Sequence, residues 1–408
     1  SITANQDVAV LNTNVLANGG TDGGKVVIVS GDKDVNLNQD LIQTNGTSGR
    51  GGTIQIAALH NLILNATLQT NSQNLIAGTI TFEADSILIQ TNSILEAIGA
   101  TGGGTVLVGG DWQGSGTLRQ ATFVTMNSGV VIDASALLQG NGGKIVLWSD
   151  ITNPNSITIA YGTIYSNGGT ISGNGGQIET SGYQLDSEGI SVSAGANNGI
   201  RGLWLIDPTD SVITQAIANS YINSLNSGTS VTNSVTGTMT VSGNIFATGN
   251  GTLTLVATGT ITINAMIIIG GNLNITTNGL NGGADILLLN PASTVTINQS
   301  GTSTYSGSIG GGNVTVNMTS IAANLILSGS IGSSQGLFMQ YYNDGYFADD
   351  LDWFKLNRSL DGLKRITTFA DISNNVPSGS GFVYKADDFS YRWSGYFIPA
   401  NTGLYYFR

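Results

Sequence analysis

"GGTIQIAALHNLILN", residues 51–65, holds two short runs in which every second residue is aliphatic: Ile54 and Ile56, then Leu62 and Leu64. A period of two is the mark of a strand with one buried face. The first run returns along the chain at fixed intervals. Gly52-Thr53-Ile54-Gln55-Ile56 recurs as Gly78-Thr79-Ile80-Thr81-Phe82 and as Gly104-Thr105-Val106-Leu107-Val108, each step 26 residues long. Gly143-Lys144-Ile145-Val146-Leu147 follows after 39 residues, read as one step plus a 13-residue excursion, and Gly169-Thr170-Ile171 comes 26 later. Gly24-Lys25-Val26-Val27-Ile28 precedes the series by 28. A unit of this length, holding two or three short strands, cannot bury its own inner face. Stacked units can, which predicts a parallel β-solenoid with one turn per unit.

Working outward, Gly251-Thr252-Leu253-Thr254-Leu255 and Gly271-Asn272-Leu273-Asn274-Ile275 lie 20 apart, and Gly312-Asn313-Val314-Thr315-Val316 lies 41 further on, so the turns shorten after Trp204. Residues 1–335 are expected to make roughly 13 to 16 turns, a rod of about 60 to 75 Å. No long stretch has a 3.6-residue period and Glu and Lys are scarce, so few helices are expected. Near Gly336 the composition breaks: 18 of the 29 aromatic residues and 7 of the 13 Lys and Arg lie in 336–408, against 7 of the 58 Gly. Two domains are therefore expected, a solenoid over 1–335 and a second module over 336–408, joined by "SGSIGSSQG" (328–336).

The whole-chain numbers narrow the function. Charged residues make up only 9% of the 408, with a net charge of −12. That balance argues against nucleic acid or an anionic membrane as a partner, since both are held by basic patches. There is no cysteine, hence no disulfide framework and no thiolate site. No apolar run approaches the length of a membrane-spanning helix; the densest, "AMIIIGG" (265–271), is strand-sized. The chain begins at Ser1 without a signal peptide, and is expected to be a piece of a longer polypeptide.

Three segments in order, "GGKIVLWSD" (142–150), "NGGQIETSG" (174–182) and "GLWLIDPTD" (202–210), resemble the signature series of filamentous haemagglutinin-like exoproteins of two-partner secretion systems. "LVGGDWQGSG" (107–116) with "QAT" (120–122) is similar to a further element of the bacterial members. The resemblance implies a right-handed parallel β-helix, export of the parent protein through an outer-membrane transporter, and display at the bacterial cell surface as an elongated adhesin. The amino-terminal secretion domain of that family has no counterpart in these residues. "GLFMQYYNDGYF" (336–347) and "DDFSYRWSGYFIPANTGLYYFR" (387–408) resemble the opening and middle strands of the protective-antigen-fourteen domain, a lectin-like β-sandwich of adhesins, toxins and glycosidases. In its sugar-binding members calcium sits in a loop beyond the strand that matches Leu404 to Phe407. No cofactor is therefore expected in the residues present, and Ca²⁺ only if the sandwich continues beyond Arg408. The fold class expected is all-β: a right-handed parallel β-helix followed by a partial β-sandwich.

Candidate chemistry is thin. His60, the one histidine, reads as a turn residue between two strands and not as a general base, because no motif supplies the other members of a triad. Asp111, Asp133, Asp150, Asp207 and Asp210 are scattered singly, and Asp207-Pro208-Thr209-Asp210 reads as a turn. "NGGADILLLN" (281–290) is one isolated copy of a pattern that binds calcium only in tandem. Asp349, Asp350 and Asp352, with Asp361, offer oxygen ligands to a hard cation without EF-hand spacing, and are the weak metal candidates. Rows of Thr and Asn, as in "GTITINA" and "STVTINQS", read as strand formers and stacked turn amides in preference to an ice-binding array. Trp112, Trp148 and Trp204 stand out in an aromatic-poor region, and Trp148 alternates out of phase with Ile145 and Leu147. Either it faces outward in a contact patch or it packs under a loop. Phe389, Tyr391 and Trp393 alternate with polar residues, as on a sandwich strand whose aromatic face is core or sugar platform. Trp148 and Trp393 are the ligand-contact candidates.

The expected function is that of an extracellular, rod-like, non-catalytic adhesin or matrix segment displaying a lectin-like module, with cell-surface or matrix glycans or other adhesin copies as partners. The alternatives are a polysaccharide-processing β-helix enzyme, for which Asp150 and Asp207 would be tested, and a filament or sheath subunit.

Overall fold

A computed structural model describes residues 1–329, 331–332, 336–342, 362–366 and 390–396 of the chain. Its internal contacts divide it into two compact units, Ser1–Ile331 and Gly332–Arg408.

In the first unit the alternating runs become strands, and each lies parallel on the strand one turn earlier. The leading column runs through Ile2–Ala4, Lys25–Ser30, Thr53–Ala57, Thr79–Glu83, Thr105–Val108, Lys144–Trp148, Gln177–Ser181, Leu203–Asp207 and Ser230–Val235. It continues through Leu253–Ile263, Leu273–Gly282, Thr294–Gln299 and Asn313–Met318. The whole sheet has 17 strands, and sheets of 12 and 5 strands complete the wall. This is a parallel β-solenoid. Inward positions stack residue on residue: Ile54, Ile80, Val106, Ile145 and Ile178 are each fully buried, and they belong to one continuous core that reaches from Val8 to Ile309. Burial of these ladders is the main stabilising term, because each rung covers the apolar face of the last.

The glycine that opens each motif has a steric cause. A Cβ at Gly78 would lie 1.9 Å from the Gly52 carbonyl oxygen of the rung below. No side chain fits where two rungs approach so closely.

One part of the interval reading is corrected. Gly169-Thr170-Ile171 is not a rung but part of the loop between strands Thr163–Tyr165 and Gln177–Ser181, with Ile171 65% exposed. The rung partner of Lys144 is Gln177. The loop triplet has a rung's composition without a neighbour's register, and only the hydrogen-bonded ladder separates the two.

A second departure is a helix. Over 1–193 a further column carries Ile94–Glu96, Val131–Asp133, Thr163–Tyr165 and Ser191–Ser193. Where the next strand is due, Gln215–Asn226 is α-helical, and beyond it the column resumes as Ile245–Ala247, Ile267–Ile269 and Ile286–Leu288. Thr214 caps the helix, its Oγ1 accepting from the Ile217 N–H at 3.3 Å. Ala218, Tyr221 and Leu225 turn one face into the core, and Tyr221 meets Trp204 edge-on with centroids 5.5 Å apart. Side chains replace the missing ladder: Ser224 Oγ donates to the Val192 carbonyl at 2.9 Å, and Asn226 Oδ1 accepts from the Gly249 N–H at 2.9 Å.

In the second unit, Gly336–Tyr342 is the middle strand of an antiparallel three-stranded sheet, between Gly362–Ile366 and Ser390–Tyr396. The expected facing sheet of a sandwich lies outside the described residues.

Candidate functional site

On an ordinary rung the outward residues are half-exposed, as in Thr53–Ala57 and Thr79–Glu83. Four consecutive rungs break that pattern, the last being Leu203–Asp207 with its outward Leu205 buried. In Lys144–Trp148 and Gln177–Ser181 every residue but the first is buried, and in Thr105–Val108 the outward Leu107 is buried too. The cause is the excursion of 13 residues seen in the sequence, which does not leave the surface but folds back over it. Residues 109–120 form a strap along the outside of the stack. Backbone φ values of 75°, 63° and 74° at Gly109, Gly114 and Gly116, and 51° at Gln113, make its bends.

Beneath the strap lies an outer apolar cluster of Leu107, Val146 and Trp148, packed against Trp112, Leu118 and Ile151. Trp148 does point out of the solenoid, as its phase requires, but only 1% of it is exposed. Its place among the contact candidates is therefore corrected: the strap covers it. A Cβ at Gly110 would come within 2.5 Å of the indole, and its Nε1 donates to Gln120 Oε1 at 3.1 Å. Trp204 faces the interior, with its Nε1 donating to Thr180 Oγ1 at 3.0 Å.

Beside the indole sits the main gathering of titratable groups. Glu179 projects from Gln177–Ser181 toward the strap; its Oε2 accepts from the Gln113 N–H at 2.8 Å and its Oε1 from Ser181 Oγ at 2.9 Å. Burial pushes its carboxyl up to about 7, with the carboxylates of Asp207 and Asp111 adding to the rise. Asp207, one rung on, is pushed up to about 6, also by burial. Asp111 meets Lys144 Nζ at 3.4 Å. Asp111 and Asp207, scattered in sequence, are thus brought around a glutamate that sequence reasoning passed over, because "QIETS" reads as an ordinary rung.

The remaining candidates serve local structure. His60 is exposed in the turn after Thr53–Ala57. Asp150 accepts from the Thr152 N–H at 2.9 Å, and Asp210 from the Thr238 N–H of the next rung at 2.6 Å. Asp133 accepts from the Ser135 N–H at 2.8 Å, and burial raises its pKa. In the 281–290 segment, Asp285 accepts from the Ser308 N–H at 2.8 Å. The Thr and Asn rows bond along the stack, for example Asn298 Nδ2 to Thr276 Oγ1 at 3.2 Å. Among the described residues no three His, Cys, Asp or Glu side chains are placed to share a metal ion. Trp393 lies on Ser390–Tyr396 opposite Met339; Asp349, Asp350 and Asp352 lie outside the described residues.

A second surface feature was not foreseen. The loops that close successive turns at one corner hydrogen-bond to each other, as Leu137 N–H to the Gly99 carbonyl and Ile171 N–H to the Leu138 carbonyl. They carry a ridge of exposed aliphatic residues: Leu75, Ile76, Leu137, Leu138, Ile171 and Ile200. Loops 70–78, 97–104, 134–143 and 166–176 contain no charged residue, whereas Ile200 is followed by Arg201. The signal was present in sequence as paired aliphatics flanked by Gly, Asn and Ser, out of step with any strand.

No family model matches the chain, and no curated protein matches it.

Proposed function

We propose that Ser1–Ile331 is the shaft of an extracellular, filamentous haemagglutinin-like adhesin of a bacterial surface, that residues beyond it belong to a lectin-like module, and that the protein acts by adhesion and matrix building without catalysis. The observation that carries this reading is the exposed aliphatic ridge on a stack of parallel rungs, uncharged in its loops from 70 to 176. Exposed apolar surface that runs along several rungs is a contact surface, and a solenoid extends it rung by rung without a larger core. The three signature segments between 142 and 210 support the family reading. The test coats beads with the purified protein and scores their clustering and their retention on neutral and acidic glycan surfaces. Clustering or retention that falls at least tenfold in Leu138→Asp/Ile171→Asp supports the proposal. Beads that neither cluster nor bind glycan overturn it, as does glycan turnover lost in Asp207→Asn.

A further inference from the structure

The strap is tied down at two ends of different chemistry. At one end Arg119 Nη2 donates to the carbonyls of Ala58 and Leu59 at 2.9 and 2.8 Å, and the Arg119 N–H donates to Glu83 Oε2 at 3.1 Å. These partners lie one and two rungs before the strap. This tie is made mainly by a guanidinium on two main-chain carbonyls. At the other end the backbone N–H of Gln113 rests on Glu179, two rungs after the strap. That tie is a fully buried carboxyl. The ionisable groups around it are Asp111 on the strap, Lys144 on the rung between, and Asp207 on the rung beyond. Two of the three repel its anion, and the one cation is engaged by Asp111.

We propose that Glu179 is a proton-controlled latch: the 109–116 half of the strap stays down while Glu179 carries a proton and lifts as it ionises, uncovering Trp148, Val146 and Leu107, while the Arg119 end holds. In the neutral acid one oxygen accepts from the Gln113 N–H and the other, as a hydroxyl, donates to Ser181 Oγ. The anion keeps both contacts as an acceptor but bears the cost of burial beside two like charges.

The sign follows from linkage. Burial, with the carboxylates of Asp207 and Asp111, raises the carboxyl from 4.5 to about 7 although the Gln113 N–H and Ser181 bonds lower it, so closure, which completes that burial, binds a proton that the open form releases. Closure is complete in its advantage below the open-state value and loses it as pH rises to the closed-state value. Between those limits the opening equilibrium rises by two to three powers of ten.

Hydrogen exchange of the 109–118 amides in the whole protein, normalised to intrinsic exchange rates, reads this directly. Wild type should lose about a hundredfold protection between pH 5 and pH 8, while Glu179→Gln stays protected at both. Asp207→Asn should keep the pH dependence with a lower midpoint. Strap protection that is unchanged from pH 5 to pH 8 in wild type overturns the proposal, and so does a pH dependence that survives intact in Glu179→Gln. The wild-type measurement decides alone if that variant fails to fold.

Discussion

The solenoid contains two regions that share a core and differ in almost everything outside it. Up to residue 210 the rung partners in the leading column are mostly 26 to 28 residues apart, reaching 39 from Thr105 to Lys144. From Ser230 on they are 19 to 22 apart. The first region carries sixteen Asp and Glu and six Lys and Arg; between 211 and 331 the one charged residue is Asp285. Inner ladders are alike, with Ile54 in the first region and Ile275 in the second both fully buried. The outer column of the second region is Thr232, Thr254, Asn274, Thr296 and Thr315, one per rung. The comparison teaches that the inner face specifies the fold and the excursions specify the chemistry. Each carboxyl shifted upward by burial, Asp133, Glu179 and Asp207, belongs to the region with long loops.

The sharpest way to break this comparison is at the joint. Trp204→Ala removes a fully buried indole that rests on Tyr221 of the helix, and should cost about 3 to 5 kcal/mol. This contact stands beside the ladder from Leu203–Asp207 to Ser230–Val235; where it couples the two regions, denaturant unfolding followed by exchange in each should split into two transitions, and one unchanged cooperative transition would show that the ladder alone joins them.

A second test uses protons. Glu179 and Asp207 have folded-state values near 7 and 6, above their ordinary ones. Their contribution is therefore complete below pH 4 and lost as pH rises through 6 to 7, on the order of 3 kcal/mol for Glu179. The first region should lose exchange protection over that window, and 230–318 should hold constant. The smallest effect should be shared: Ile54→Val and Ile275→Val should each cost about 1 kcal/mol, since the inner ladders are equivalent. A difference well beyond that would mean that the two cores are not.

The stack was legible because sterics repeat with it. Gly52, Gly78 and Gly104 recur where a side chain would strike the preceding rung's backbone, and Ile54, Ile80 and Val106 recur because each covers the last. The false rung at Gly169 met the composition rule but bonds to the loop of the previous turn and to no strand of the leading column. The helix escaped because its core face is only Ala218, Tyr221 and Leu225 among Asn and Ser. The strap escaped for a different reason. In "KIVLW" both faces of the strand are apolar, which signals a cover but not which segment supplies it, and Glu179 acquires its character only from that cover.

The helix at 215–226 also holds a reserve of length. Coiled, its 12 residues span about 18 Å; drawn out, they reach roughly 40 Å. Its ends are nevertheless pinned, since Leu203–Asp207 pairs with Ser230–Val235 and Ser211–Ile213 with Met239–Val241 across the helix. That length is drawn out only after those ladders part, so until then the wall keeps its register across the helix.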